Sequence, residues 1–311
     1  MYRSFFALIV AVIFIACNNG SDKQPDQNKI SGMEKKPHYS LAQWSFNRDL
    51  FGGKMTNFDF IRNAGEMGFE GVEYVSQFFQ DKAEDTVFLD SLNQQAKASG
   101  VKNLMIMVDN AGNLGASNIE ERDSAIEIHK KWVLAAKYLG CSTIRVNAHG
   151  DGTDEQMARA CEQSIGALAD WAKPHGINII IENHGGISNN GQWLAALLTK
   201  LAPHEVGALA DPDNWCTKRE NGQLWDAPCI ESYDRYKGME ELMPFAKGLS
   251  VKTFEFDESG NETTMDYARI MDIIQKSNYS GYLAIEFEGH TMPSKEGILK
   301  TKALAEKHWK K

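Results

Sequence analysis

Positive charge is in short supply. Lys and Arg number 33 against 42 Asp and Glu, a formal net charge of −9 over 311 residues. That balance leaves no basic stripe to track a phosphate backbone, so nucleic acid is not expected as a partner. Gly-rich phosphate loops of either nucleotide-binding kind are also missing. This weakens an open doubly wound sheet as the architecture. Cysteine is scarce, at five residues, and no pair has metal-finger spacing. The remaining composition, 42% hydrophobic and 24% charged, is ordinary for a globular chain long enough for one large domain or two small ones.

The N-terminus stands apart. Arg3 precedes "FFALIVAVIFIA", an apolar run too short to cross a bilayer as a mature helix. The run ends in Ile15-Ala16-Cys17, which resembles a bacterial lipoprotein lipobox. The resemblance implies cleavage before Cys17 and lipidation of its thiol. Residues 1–16 are therefore expected to be a signal peptide. Residues 17–37, polar and almost without large apolar side chains, read as a flexible tether. The folded body, 38–311, is then expected outside the cytoplasm, on the periplasmic side or the cell surface, meeting the membrane only through the lipid. Cys141 and Cys161 sit in apolar patterns and are expected free and buried. Cys216 and Cys229 bracket "CTKRENGQLWDAPC", where a disulfide is one of the alternatives.

From Tyr39 onward strand-like and helix-like runs alternate. The strand-like runs cover 40–46, 69–75, 101–109, 142–149, 177–183, 205–211, 248–254 and 281–287. The clearest helical pattern, 118–140, has acids early, lysines late and Gly140 as its stop. Another, 153–176, is capped by Thr153 and ended by Pro174 and Gly176. Eight strands alternating with helices over about 270 residues predict a single (β/α)8 TIM barrel behind the signal peptide and tether.

Side chains alternate along a strand, one set facing the barrel interior and the other the helices. In the fourth strand Arg145, Asn147 and His149 oppose Ile144 and Val146. In the fifth, Glu182 shares a face with Ile180 and opposes Ile179 and Ile181. The seventh sets Ser250 and Lys252 against Leu249 and Val251. The eighth sets Ala284 and Glu286 against Leu283, Ile285 and Phe287. In the second, Glu73 opposes Val72 and Tyr74. Polar residues thus gather inside, near the C-terminal strand ends where barrel enzymes place their chemistry. A lone buried carboxylate is costly, whereas several converging on one mouth make sense if a cation neutralises them. Three acids end strands: Glu182 in "IENHGG", Asp211 in "ALADPDN" and Glu286 in "AIEFEGH". Asp213 rivals Asp211, which is preferred because it completes its strand.

With these motifs in register, the chain from about residue 40 to its end resembles the xylose isomerase-like barrels, specifically the sugar phosphate isomerase/epimerase family. "IENHGG", "DPDN" and "YLAIEFEG" carry the likeness, with "GFEGVEYV" on the second strand. The resemblance implies one divalent ion held by Glu182, Asp211 and Glu286, with Asn214 beside the substrate and Glu73 at the pore edge. All-oxygen ligands favour Mn²⁺ or Mg²⁺ over Zn²⁺, with Ca²⁺ an option outside the cytoplasm. One position departs. The family commonly has His-x-Lys on the seventh strand, where this chain has Ser250-Val251-Lys252. The ion then has three protein ligands, recruits His290, His184 or a water on Ser250, or is absent.

The implied chemistry is proton transfer next to a carbonyl through an enediolate. Glu182 and Glu286 are the acid–base pair, and Lys252 is a fixed positive charge. Arg145, Asn147, His149 and His184 are expected to bond sugar hydroxyls. Trp44, Trp215 and Trp225 offer flat faces, the last two on a long loop, 211–233, that reads as a lid. Epimerisation, dehydration and β-elimination share the intermediate, and the substrate is expected to be a small keto-sugar or 3-keto-glycoside. A catalytically inactive sugar-binding lipoprotein is the alternative. A third, an abasic-site endonuclease on the same barrel, is disfavoured by the acidic balance and the export signal.

Overall fold

A computed structural model describes residues 36–277 and 279–309, together with Met1. The expected signal peptide, Cys17 with its lipid, and the tether lie outside the described residues, apart from Met1, Lys36 and Pro37. Among the described residues no helix is long and apolar enough to cross a membrane.

The chain runs β1 (His38–Ala42), α1 (Asn47–Phe51), α2 (Asn57–Glu66), β2 (Gly71–Val75), α3 (Thr86–Ser99), β3 (Lys102–Met107), α4 (Ile119–Leu139), β4 (Thr143–Asn147), α5 (Asp154–Ala172) and β5 (Asn178–Glu182). It continues through α6 (Gly191–Leu201), β6 (Gly207–Ala210), β7 (Cys216–Arg219), β8 (Cys229–Ser232), α7 (Arg235–Leu242), β9 (Ala246–Thr253), α8 (Tyr267–Lys276), β10 (Tyr282–Phe287) and α9 (Ser294–His308). Eight of these strands close a parallel barrel in the order β1-β10-β9-β6-β5-β4-β3-β2. The barrel's seventh and eighth strands are thus β9 and β10. The helices begin and end where local chemistry requires. Asn118 caps α4 by accepting from the amides of Glu120 and Glu121, and Gly140 ends it in the left-handed region. Thr153 and Gln156 form a reciprocal capping box on α5.

The alternation expected along the strands is present. Val72, Tyr74, Ile144, Val146, Ile179, Ile181, Leu249, Val251, Leu283, Ile285 and Phe287 belong to the large core between sheet and helices. Inside the barrel a smaller apolar plug, Ala42, Val75, Met105, Met107, Ile180 and Leu209, forms the floor.

Two elements differ from the sequence expectation. The first strand stops at Ala42, and Gln43–Phe46 turn into a 3₁₀ segment. Polar side chains end the ladder: Gln43 accepts from the Val75 amide at 2.9 Å, and the Ser45 hydroxyl accepts from the Phe287 amide at 3.0 Å. The expected lid is an antiparallel hairpin, β7 with β8, closed by a Cys216–Cys229 disulfide. Cys141 and Cys161 are free and buried.

Candidate active site

The strand ends bring one cluster together at the barrel's C-terminal mouth. In register, Asn147 pairs with Glu182 and Glu286 with Lys252. Around them lies a cavity of about 530 Å³, lined among others by Trp44, Arg145, Glu182, His184, Lys252 and Glu286. Asn214 and Trp225 also line it.

Two cations are embedded in the cluster. Lys252 is 4% exposed. Its ammonium lies 3.0 Å from Asp211 Oδ2, 2.8 Å from Glu288 Oε1 and 3.9 Å from Glu286 Oε2. Burial disfavours the charged amine, but Asp211, Glu286 and Glu288 outweigh it and hold Lys252 well above the usual lysine range. Arg145 Nε stands 2.8 Å from Glu182 Oε2, and its Nη1 donates to Asp109 Oδ1 at 2.5 Å and to Asn147 Oδ1 at 3.1 Å. The Arg145–Glu182 and Lys252–Asp211 contacts are close but poorly aligned. Arg145 Nε, Glu182 Oε2 and Asp211 Oδ2 therefore remain buried without a hydrogen-bond partner. Buried polar atoms left this way are costly in a resting protein; Arg145 and Glu182 line the cavity, whereas Asp211 lies behind its wall.

The carboxyls are positioned by neighbours. Asn214 donates to Glu182 Oε1 at 3.1 Å, and Ser250 donates to Glu286 Oε2 at 2.8 Å. Asp211 Oδ1 accepts from the amides of Asp213 and Asn214. Asn183 ties two strand ends together by donating to the carbonyls of Asp211 and Asn214 and accepting from the Asp211 amide. Burial, followed by the charges of Asp211 and Asp109, pushes Glu182 up to about 7 against the pull of Arg145. Burial, with Glu288 and Asp211, pushes Glu286 up to about 8 against Lys252. Below them Glu73 accepts from Ser40 at 2.7 Å, and burial pushes it up to about 7. It does not line the cavity.

The resemblance implied a divalent ion on Glu182, Asp211 and Glu286. Among the described residues no three His, Cys, Asp or Glu side chains form a group that could hold an ion. The reason is electrostatic. A buried ammonium already bridges Asp211, Glu286 and Glu288, and a guanidinium covers Glu182, so a dication here would face two fixed positive charges. None of the replacements for the missing histidine completes the set. Ser250 spends its hydroxyl on Glu286, His184 bonds Asn147 Oδ1 at 3.0 Å, and His290 is exposed with its amide donating to Glu255. As arranged, these residues do not form a ligand set for the expected Mn²⁺ or Mg²⁺.

Other expected residues divide. His149 Nε2 donates to the His184 carbonyl at 2.5 Å and lines an adjoining cavity together with Asn147. Trp44 lines the main cavity, packed edge-on to Phe51. Trp215 does not reach it. Its indole is 3% exposed and donates to the Pro212 carbonyl, and a Cβ at Gly238 would lie 2.0 Å from its ring. It is a core residue, which corrects its assignment as a sugar platform. Asp213 pairs with Arg235 at 3.1 Å, leaving Asp211 as the strand-end acid in the cluster. The hairpin reaches over the end of β5: a Cβ on Gly185, φ +91°, would meet Trp225 at 2.9 Å. Sequence reasoning missed Asp109 and Glu288. Each lies two residues beyond an interior position, Met107 or Glu286, so the period of two could have found both.

A family model described as xylose isomerase-like TIM barrel matches residues 61–308. The chain superposes on a 3-keto-D-glucoside 4-epimerase from E. coli with a TM-score of 0.65 and 14% identity, covering 88% of this chain and 100% of that one. A sugar phosphate isomerase/epimerase from Parabacteroides distasonis gives a TM-score of 0.65 and 16% identity, covering 90% and 97%. At such identities the likeness is one of fold. A C-glycoside deglycosidase alpha subunit from Arthrobacter globiformis is 42% identical over 50 residues, 16% of this chain; the aligned stretch spans 14% of that relative's length.

Proposed function

This chain belongs to the xylose isomerase-like TIM barrel family, and we propose that it moves a proton next to the carbonyl of a small keto-sugar, as an isomerase, an epimerase or a lyase acting on a 3-keto-glycoside. The observation that carries this reading is the pair of buried carboxyls, Glu182 and Glu286, raised to about 7 and about 8 beside the embedded Lys252 and Arg145. A carboxyl raised into the neutral range can take a proton from carbon and give one back under the same conditions.

One of the pair removes the proton on the carbon beside the carbonyl. Charge then develops on the carbonyl oxygen, and the Lys252 ammonium stabilises it in a water-poor site without reorganising. The other carboxyl returns a proton on the opposite face, or protonates a leaving group. Asn214 orients Glu182, and Ser250 orients Glu286. His184 and Trp225 offer a hydrogen-bonding edge and a flat face for the sugar ring. The 3-keto-glucoside substrate in the name of one structural neighbour supports the substrate class. The apolar run ending at Cys17, together with the Cys216–Cys229 disulfide, supports placing the activity outside the cytoplasm.

The test is the pH profile of keto-sugar turnover. The pair works with one proton between its members, so kcat/KM should rise as pH climbs toward about 7 and fall beyond about 8. Stability has its own sign. Both carboxyls keep protons in the folded state that the unfolded chain releases near the ordinary value of 4.5. Folding stability contributed by these groups is therefore full below about pH 4.5 and declines as pH rises to about 8. A flat rate profile across pH 6–9 would remove the pair from the mechanism.

A further inference from the structure

Beside the main cavity lies a second one of about 300 Å³. The two share Gln77, Asp109, Asn110, His184 and Trp225, so they are two halves of one mouth. Glu182, Glu286 and Lys252 line only the larger half. The smaller half is walled by groups the proton transfer does not use: Asn113 in the loop after β3, His129 on α4, His149 after β4 and Leu224 on the disulfide-closed hairpin.

These walls are held in place. His149 is fixed by its bond to the His184 carbonyl, and the two imidazoles lie nearly parallel, 14° apart. His184 donates from Nδ1 to Asn147 Oδ1, and His129 donates from Nδ1 to the Ala125 carbonyl at 2.7 Å. Burial keeps all three imidazoles below their usual value, hence neutral, so Nε2 of His184 and of His129 is an acceptor. Trp225 sits over the boundary between the halves, its ring 4.6 Å from that of His184. Amide and imidazole edges under one flat indole are the chemistry that binds a hydroxylated ring.

A lone keto-hexose has no use for both halves. Resting on the keto-sugar reading above, we infer that the substrate is a glycoside of two hydroxylated rings. The keto ring occupies the larger half, among Glu182, Lys252 and Glu286. The second ring, carried on the glycosidic oxygen, occupies the smaller half between His149, Asn113 and the hairpin.

The experiment compares kcat/KM for a 3-keto-disaccharide with that for free 3-keto-glucose. The wild type should prefer the disaccharide by about tenfold or more. Asn113→Trp fills the smaller half from an exposed position and should lower kcat/KM for the disaccharide about tenfold more than for the free sugar. Leu224→Trp closes the same space from the hairpin side and should shift the ratio in the same direction, so the result does not hinge on one variant folding. Equal preference in the wild type, or equal losses for both compounds in the variants, would overturn the second-ring assignment while leaving the proton chemistry in place. Turnover of neither compound by the wild type would overturn the keto-sugar reading itself.

Discussion

Glu286→Gln should lower keto-sugar turnover by about 10²–10⁴-fold, the range lost when a positioned acid–base group is removed, while the barrel remains folded. The substitution nearly keeps the shape and replaces the ionisable carboxyl with an amide that neither takes nor gives a proton in this pH range. It is also mild for the fold. Burial and the charges of Glu288 and Asp211 already disfavour the ionised form of Glu286, so a neutral isostere relieves repulsion there. The side-chain carbonyl of the glutamine can still accept from Ser250, which now donates to Glu286 at 2.8 Å. Lys252 keeps its two closest partners, Asp211 and Glu288. Steady-state kinetics with thermal unfolding alongside reads both halves of the expectation. Turnover within a factor of two or three of wild type would take Glu286 out of the chemistry.

Lys252→Met should have the largest effect on stability, about 3–5 kcal/mol, because removing one partner of a buried ion pair leaves the other charge uncompensated. Asp211 has no exposed surface, and its Oδ2 has no hydrogen-bond partner to fall back on. Glu286 and Glu288 lose the same cation. The share of the destabilisation that falls on Glu286 should shrink as pH falls below about 8, since that carboxyl, once protonated, no longer needs a counter-charge. Urea unfolding at two pH values measures this. Turnover should fall as well, by about 10²–10³-fold, as expected for the loss of one preorganised oxyanion donor. A Lys252→Met protein as stable as the wild type at neutral pH would show that another group neutralises the cluster.

Much of this site is a local property of the strands. A period of two needs no knowledge of distant residues, so alternation in β4, β5, β9 and β10 places Arg145, Asn147, Glu182, Lys252 and Glu286 inside the barrel. The same rule, carried one step past each strand end, reaches Asp109 and Glu288. Trp215 was not legible in this way. Its burial depends on Gly238, 23 positions along the chain, leaving room for an indole, and nothing beside Trp215 encodes that. The partner of the strand-end acids was not legible for a related reason. Strand-end carboxylates suggest a cation, but whether that cation is a metal or a lysine depends on how far the Lys252 side chain reaches across the mouth. Only the packed barrel reveals that reach. The lid was legible as a long loop bracketed by cysteines, whereas its hairpin pairing and the seat of Trp225 on Gly185 are tertiary facts.

Deuterium wash-in reads the proton transfer itself. Chelator-treated, metal-depleted protein is incubated with a 3-keto-sugar in D₂O, and the carbon next to the carbonyl is followed by NMR. Label should enter at that carbon, catalysed by Glu182 and Glu286 beside Lys252. No incorporation above the protein-free rate, or incorporation only after Mn²⁺ or Mg²⁺ is restored, would contradict this.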